Sequence, residues 1–579
     1  ASGSPGAPEV VTSAPSPGAR LVAATTTHHL GDTVVQAQWF DRTVTRAVSG
    51  GNEPVRLLVQ LAGAPTALFA MERFGRSQGL GSDESASVEE QRRRLAAGRA
   101  SFVAAAAREG IELQVLAEYD TLLSGIAIRA SRDDFRQIRS LPGVLSVEED
   151  LERQILLDES VPRIRADRVW DLKDPGGQFV TGKGMRIAIL DSGIDYEHPD
   201  LGGCFGPGCR VAAGRDFVNG DANPMDDNGH GTHVAGIAAA NGVVKGVAPQ
   251  ATLLAYKVCD AGGGCWTSHV IAGLETASDP DGKPATDDAA DVANLSLGSA
   301  YGRPDDILSQ TVNNAVAAGM VVAVAAGNDY AHHTIGSPGG AQDAITVAAS
   351  DREDHITDFS SRGPIMGRYD IVKPDVTAPG YLILSTASSD GQLSDPSGYI
   401  RLSGTSMATP HVAGAAALLR QMHPNWSPAA VKSALMANAI DLEDTIFSQG
   451  AGRIDVLAAA QEGVVGTPSV GFGLPLLDGS TGATLTLSNR SAASLQIALD
   501  VSAVRFMDGA LRVLEPAQPV GHASLGTASL SLPAGGSQTV RLNLAVPNNL
   551  ADGYYAGVVS ARWPGGETRI PFMYASLGQ

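Results

Sequence analysis

The stretch that most limits what this chain can become is GTSMATPHVAG, residues 404 to 414, with the run AAALLRQM that carries it to Met422. Ser406 stands between a glycine-bearing turn and a succession of small and apolar residues. Gly404 permits a tight turn, and the Ala- and Leu-rich continuation predicts a buried helix. Ser406 then sits at the helix N-terminal end, where unpaired backbone N–H groups and the helix dipole favour negative charge. Pro410 is expected within about the first turn, where its missing N–H costs least. A serine there can be a plain cap, but the crowd of small residues on one side and the partners elsewhere in the chain favour chemistry.

Those partners come from a region, about 158 to 464, where strand-like apolar runs alternate with helices of small residues. That pattern predicts an α/β domain with a mainly parallel sheet and helices on both faces. MRIAIL (185–190) is read as a buried strand delivering Asp191 into the turn DSG, and HGTHVAGIAAA (230–240) as a helix starting at His230. ATLLAYKV (251–258), DVANLSL (291–297) and MVVAVAA (320–326) are further strands, the last leading to Gly327 and Asn328. Sites in open α/β sheets lie at the carboxyl ends of strands, so Asp191 and Asn328 are expected there, with His230 and Ser406 at nearby helix starts. A serine hydroxyl needs an adjacent base, an imidazole can take and return the proton, a buried carboxylate fixes the imidazole, and an amide can bind an oxyanion. Singly, Asp191 could be a turn residue and His230, His233 and His411 structural histidines.

DSGIDYEHPDL, NGHGTHVAG, AAGN and GTSMATPHVAG together resemble the subtilisin family of serine proteases, over about residues 160 to 460 and in the family's order. The resemblance implies that Asp191 orients His230, that His230 is general base and acid, that Ser406 is the nucleophile, and that Asn328 with the Ser406 N–H forms an oxyanion hole. It implies that Ser296, Leu297 and Gly298 pair with extended substrate backbone, and that Ala325, Ala326 and Gly327 wall a roomy pocket for large apolar side chains. The loop at 216–230 resembles a calcium loop of thermitase-like relatives, with Asp216, Asn219, Asp221 and Asn223 as structural calcium ligands. Met225 stands where an oxygen ligand would be expected, and a solvated acidic loop is the competing reading. The chemistry itself is expected to need no cofactor.

Residues 54–157 read as strand, helix, strand, strand, helix, strand, which suits a small α+β domain. VRLLVQLAG, LLSGIAIRA and LPGVLSVEED resemble phrases of the subtilisin propeptide, so this domain is expected to act as chaperone and intramolecular inhibitor, with self-cleavage near Leu156 or Leu157. Residues 1–53 open in a Ser-, Pro-, Gly- and Ala-rich tract, and no role is assigned to them. Residues 465–579 alternate apolar and polar residues between turns such as PAGG and PNN, as in an antiparallel β-sandwich of fibronectin type III-like form.

The net charge of −20 disfavours nucleic acid and anionic membranes as partners, and no apolar run reaches the length of a membrane span. The four cysteines fall in two close pairs, Cys204/Cys209 and Cys259/Cys265. Two small disulfide loops and an oxidising compartment are expected, although the sequence allows three pairings. The competing metal site lacks both the short spacing and an interleaved histidine. The start at Ala1 without Met suits a secreted protein with its signal peptide removed. The expectation is a secreted, monomeric, self-maturing endopeptidase acting on proteins and peptides. The alternative is a non-catalytic or single-turnover processing protein that works through its β-sandwich as a binding module.

Overall fold

The structure, a computed structural model, describes residues 23–30, 33–40, 54–74, 82–120, 123–149, 160–280, 288–299, 302–365, 370–461, 464–475, 479–509 and 511–576. The chain divides into two compact units, Ala1–Gln154 and Ile155–Gln579. The expected cleavage point at Leu156 or Leu157 lies outside the described residues.

In the first unit, an antiparallel hairpin joins Ala23–Leu30 to Thr33–Phe40. The sequence showed no clear period there. A four-stranded antiparallel sheet follows, built from β1 (Pro54–Leu61), β2 (Leu113–Tyr119), β3 (Gly125–Ser131) and β4 (Val144–Glu149) in the order β2-β3-β1-β4. Helix α1 (Ser82–Arg108) buries Phe102 and Ala106 against Leu57, Val59, Ile126 and Ile128. Alternate residues of β1 and β3 thus feed one core, as the pleat requires. A helix at Thr66–Phe74 was not anticipated, and the second predicted helix shrinks to Phe135–Arg139 behind a 3₁₀ turn that Ser131 caps.

The second unit is built on a seven-stranded, wholly parallel sheet. Its strands are β5 (Arg186–Asp191), β6 (Val211–Asp216), β7 (Thr252–Lys257), β8 (Val292–Leu295), β9 (Val321–Ala325), β10 (Ile345–Ser350) and β11 (Val376–Pro379). Their spatial order is β11-β10-β9-β8-β5-β7-β6. Both faces are covered, so the strands are continuously apolar. Ile187 and Ile189 face helices α2 (His230–Ala239) and α5 (Thr405–Met422), while Ala188 and Leu190 face α3 (Thr267–Ser278) and α4 (Ile307–Ala317). Helix α5 runs through the interior, with Ala413 and Ala415 to Leu419 fully buried, which explains its small side chains. The chain leaves β5 for the β6 and β7 side and returns to β8 on the other. The crevice between β5 and β8 is therefore a topological switch point.

Residues beyond 464 form two sheets with mainly antiparallel pairing, sharing a core of Leu485, Leu487, Val540 and Leu542 from one and Ile497, Val559, Phe572 and Tyr574 from the other. This β-sandwich is seated on the α/β domain through Phe506, Met507, Tyr554 and Met573, which meet Val372, Ile446 and Phe447. Both predicted local disulfides are present, Cys204–Cys209 and Cys259–Cys265. Among the described residues no helix is long and apolar enough to cross a membrane.

Candidate active site

Asp191 is the last residue of β5 and 2% exposed. Its Oδ1 lies 2.7 Å from His230 Nδ1 and also accepts the Ser192 N–H at 2.8 Å. Its Oδ2 is buried without a hydrogen-bond partner among the described residues. His230 opens α2, and the glycines flanking it have a steric cause. Gly229 adopts φ 105°, open chiefly to glycine. At Gly231 a Cβ would lie 2.1 Å from the Gly193 carbonyl oxygen and 3.0 Å from Asp191 Cβ. The helix start can approach the DSG turn only because that residue has no side chain.

The sequence did not single out the groups that hold this pair. Asp226, buried, accepts from Ser192 Oγ at 2.9 Å, from the N–H groups of Asn228 and Gly229, and from both the N–H and hydroxyl of Thr232. It therefore satisfies the Thr232 donor at the start of α2 and holds in place Asn228 and Ser192, whose side-chain oxygens take the N–H groups of His230 and Gly231. Lys257, 1% exposed, donates to the carbonyls of Ser192 (2.7 Å) and Cys259 (3.1 Å) and pairs with Asp227. Both carboxylates lie in DDNGH, beside the histidine motif, and that adjacency was the available signal. His233 and His411 are buried and bonded to carbonyls at Ile383, Ile400 and Met407. Burial pushes them down to about 3 and about 4, respectively, so both stay neutral. For His230 burial also acts downward, but the charge and hydrogen bond of Asp191, with Asp226 behind them, outweigh it and the net shift is upward.

Ser406 is the second residue of α5. Pro410 falls in the second turn of that helix rather than the first, and the displacement has a consequence. Proline has no N–H to give the carbonyl four residues back, which is that of Ser406. This carbonyl instead accepts from Ser296 Oγ at 2.7 Å, while the Ser406 hydroxyl donates to the Ser296 carbonyl at 3.2 Å. A reciprocal pair thereby ties the helix start to the segment after β8.

Asn328 follows β9. Its Oδ1 accepts from both the N–H (2.9 Å) and hydroxyl (3.0 Å) of Thr405. With the oxygen so engaged, the two Nδ2 protons are left for the open side, and the residue is exposed. Asp191, His230, Ser406, Asn328, Ser296, Leu297 and Gly298 line one cleft of about 440 Å³, together with Ala325 and Gly327. Ala326 differs from its neighbours: it is fully buried in a separate cluster with Ile335, Ile365 and Ile371. Alternation along the strand sends that side chain away from the cleft.

The loop at 216–223 closes on itself. Asp216 accepts from the N–H groups of Val218 and Asn219 and from the Asn219 amide, all at 2.8 Å. Asp221 accepts from Asn223 N–H, and Asn223 Oδ1 accepts from the Tyr196 hydroxyl at 2.7 Å. Among the described residues no group of three His, Cys, Asp or Glu is placed to hold a metal. In this structure the oxygens of Asp216, Asp221 and Asn223 are thus taken up by hydrogen bonds, to N–H groups within the loop and to the Tyr196 hydroxyl.

A strand-borne carboxylate aligned on an imidazole, with a helix-start hydroxyl and a free amide in the same cleft, has the parts needed for acyl transfer. The family model described as the subtilase family matches residues 182–453, and that described as peptidase inhibitor I9 matches 76–156. The minor extracellular protease Vpr of Bacillus subtilis is 29% identical over 526 residues, taking in 64% of this chain and 63% of that protein's length. The alkaline protease of Alkalihalobacillus alcalophilus is 36% identical over 360 residues, which cover 61% of this chain and 83% of that protein. Subtilisin E of Bacillus subtilis is 39% identical over 336 residues, with 56% and 78% covered. With its parallel sheet, its two family domains and these relatives, the chain belongs to the subtilase family, the subtilisin-type serine endopeptidases.

Proposed function

We propose that the protein is a secreted endopeptidase, made as a self-cleaving proenzyme, in which Asp191, His230 and Ser406 form the catalytic triad. The observation that carries this reading is the 2.7 Å carboxylate–imidazole bond in the cleft that also holds Ser406 and Asn328. For reaction, the Ser406 hydroxyl turns from the Ser296 carbonyl to His230 Nε2, which takes its proton as the oxygen attacks the scissile carbonyl. The oxyanion is bound by Asn328 Nδ2 and the Ser406 N–H at the start of α5. His230 then protonates the leaving amine, and water repeats the cycle on the acyl-enzyme. Substrate backbone lies along Leu297 and Gly298. The pocket beside Ala325 and Gly327, with its small walls, takes large apolar side chains. No step runs through calcium.

The domains are read as 1–53, 54–157, 158–464 and 465–579, with residues 54–157 inhibiting the cleft until cut near Leu157. One variant tests both halves of this reading. Ser406→Ala should lower peptide-amide turnover by about 10⁶-fold, the size known for subtilisin's own triad. It should also leave the full-length chain uncut, whereas the wild type acquires a new N-terminus between residues 150 and 165. A wild type that stays uncut and idle after its propeptide is removed would favour a protein acting through its β-sandwich alone.

A further inference from the structure

Beyond Asn328 and Asp329, which line the catalytic cleft, the chain enters a second and larger cavity at Tyr330. This groove, about 860 Å³, runs between the loop Tyr330–Thr334 of the α/β domain and Phe506, Leu511, Val513 and Pro516 of the β-sandwich. Three observations mark it as a place where something binds. Its rim is apolar and open, with Tyr330 59%, Leu511 47% and Val513 38% exposed. One wall is the strand Val513–Pro519, which among the described strands pairs with Leu495–Asp508 alone; Pro516 and Pro519 carry no N–H, so this edge offers an extended chain its carbonyls and an interrupted row of donors. The floor holds His333, 6% exposed, held at φ 64° with its ring 5.1 Å from that of Tyr554. Among the described residues neither of its ring nitrogens has a hydrogen-bond partner of normal geometry; burial pushes the imidazole down to about 4, against a smaller upward pull from the Pro364 carbonyl, so the ring is neutral. A buried polar group left so is costly and is relieved by a ligand that brings donors and acceptors.

We propose that this groove is a second docking site for the polypeptide being cut, taking an extended apolar stretch of the substrate outside the segment held at Ser406. A substrate in extended form leaves the cleft with unpaired backbone groups and alternating side chains. Those are the features that a free strand edge, an apolar rim and an unpartnered imidazole recognise. The β-sandwich then contributes to choice of substrate as well as to stability. The inference rests on the peptidase reading above, and short substrates separate the two.

The test uses the purified full chain and the surface variant Leu511→Asp/Val513→Asp. Cleavage of a tetrapeptide anilide, which fills only the catalytic cleft, is compared with that of a 20-residue peptide carrying the same four residues and an apolar extension. The variant should cut the short substrate like the wild type and lose about ten-fold in kcat/KM on the long one, through KM. Equal loss on both substrates, or loss on neither, overturns the docking site. A wild type inactive on the anilide counts against the peptidase reading instead. Anisotropy of the labelled long peptide on Ser406→Ala protein, with and without the two aspartates, then decides the groove independently of turnover. A concentration-dependent dimer that the aspartates abolish would mean that a second copy covers this surface and would overturn the proposal.

Discussion

Two buried carboxylates sit at opposite edges of the same parallel sheet, and they are built for different ends. Asp191 ends β5 at the carboxyl edge. Among the described residues it has one cationic partner at most, the 26%-exposed side chain of His230, and one of its oxygens is left without a hydrogen bond. Asp375 precedes β11 at the amino edge. Its Oδ2 lies 2.6 Å from Lys373 Nζ and accepts from Thr346 N–H at 2.8 Å, and its Oδ1 lies 2.8 Å from Lys432 Nζ as an ion contact rather than an aligned hydrogen bond. Both lysines are buried; Lys373 also donates to the Ala344 carbonyl, and Lys432 to the carbonyls of Ala344 and Gln342. The amino-edge site is sealed, and each carboxylate oxygen of Asp375 faces a buried ammonium group. The carboxyl-edge site is left open, with unspent acceptor capacity beside an imidazole whose charge would change during turnover in the proposed mechanism. A carboxylate balanced by buried ammonium groups stabilises a fold, whereas in the proposed mechanism one beside a titrating imidazole stabilises a charge that appears only during reaction.

The largest effect expected from this contrast is kinetic. Asp191→Asn should keep the fold but lower kcat by about 10⁴-fold, because an amide facing Nδ1 selects the wrong tautomer; the magnitude is that of a trypsin-like triad. Steady-state kinetics alongside a thermal melt reads both quantities. A change in melting temperature with kcat preserved would make Asp191 structural, like Asp375, and erase the distinction.

The next effect is thermodynamic. Asp375→Asn removes the counter-charge of two buried ammonium groups and should cost about 3–5 kcal/mol of stability, with activity per folded molecule unchanged. Denaturant titration measures it. The pH dependence has a definite sign. Burial alone would raise the Asp375 carboxyl, but Lys373 and Lys432 outweigh it and the net shift is downward. Its stabilisation is therefore present above the ordinary carboxylate range and is lost only as pH falls through the depressed value.

The two edges also differed in how legibly the sequence announced them. Asp191, His230, Asn328 and Ser406 stand inside short glycine-rich phrases, because each must sit on a tight turn where backbone approaches backbone; Gly229 and Gly231 are the visible trace of that crowding. Sheet and helices were legible for a similar reason, since β5, β7 and β9 are apolar on both faces. The Lys373–Asp375–Lys432 cluster carries no such phrase. Lys432 comes from a helix far along the chain, and a charged residue in sequence reads as exposed until its partners are known. Asp226 and Lys257 escaped on the same ground. Pro410 was expected one turn too early because the helix start depends on Thr405, whose N–H and hydroxyl engage Asn328 rather than a local cap. Ala326 was grouped with Ala325 and Gly327 because a motif lists neighbours, whereas a strand sends alternate side chains to opposite faces.

The smallest effect is the position of the acid limb in the rate profile, and it sharpens the comparison from the kinetic side. In the proposed mechanism His230 would act as base only when neutral, so kcat/KM should rise with pH through the imidazole's own titration in the free enzyme. Burial favours the neutral ring and would place that limb below the ordinary value of 6.5, while Asp191, with Asp226 behind it, favours the charged ring; the second influence is the stronger. The limb should therefore fall above 6.5. Asp375→Asn, measured well below its own melting temperature, should leave the limb where it is, because that carboxylate faces the other edge of the sheet and is already neutralised by its lysines. A limb below 6.5 in the wild type would mean that desolvation governs His230. The open carboxylate would then be doing no more for its partner than the sealed one does for Lys373, which burial draws down to about 7 despite the adjacent Asp375.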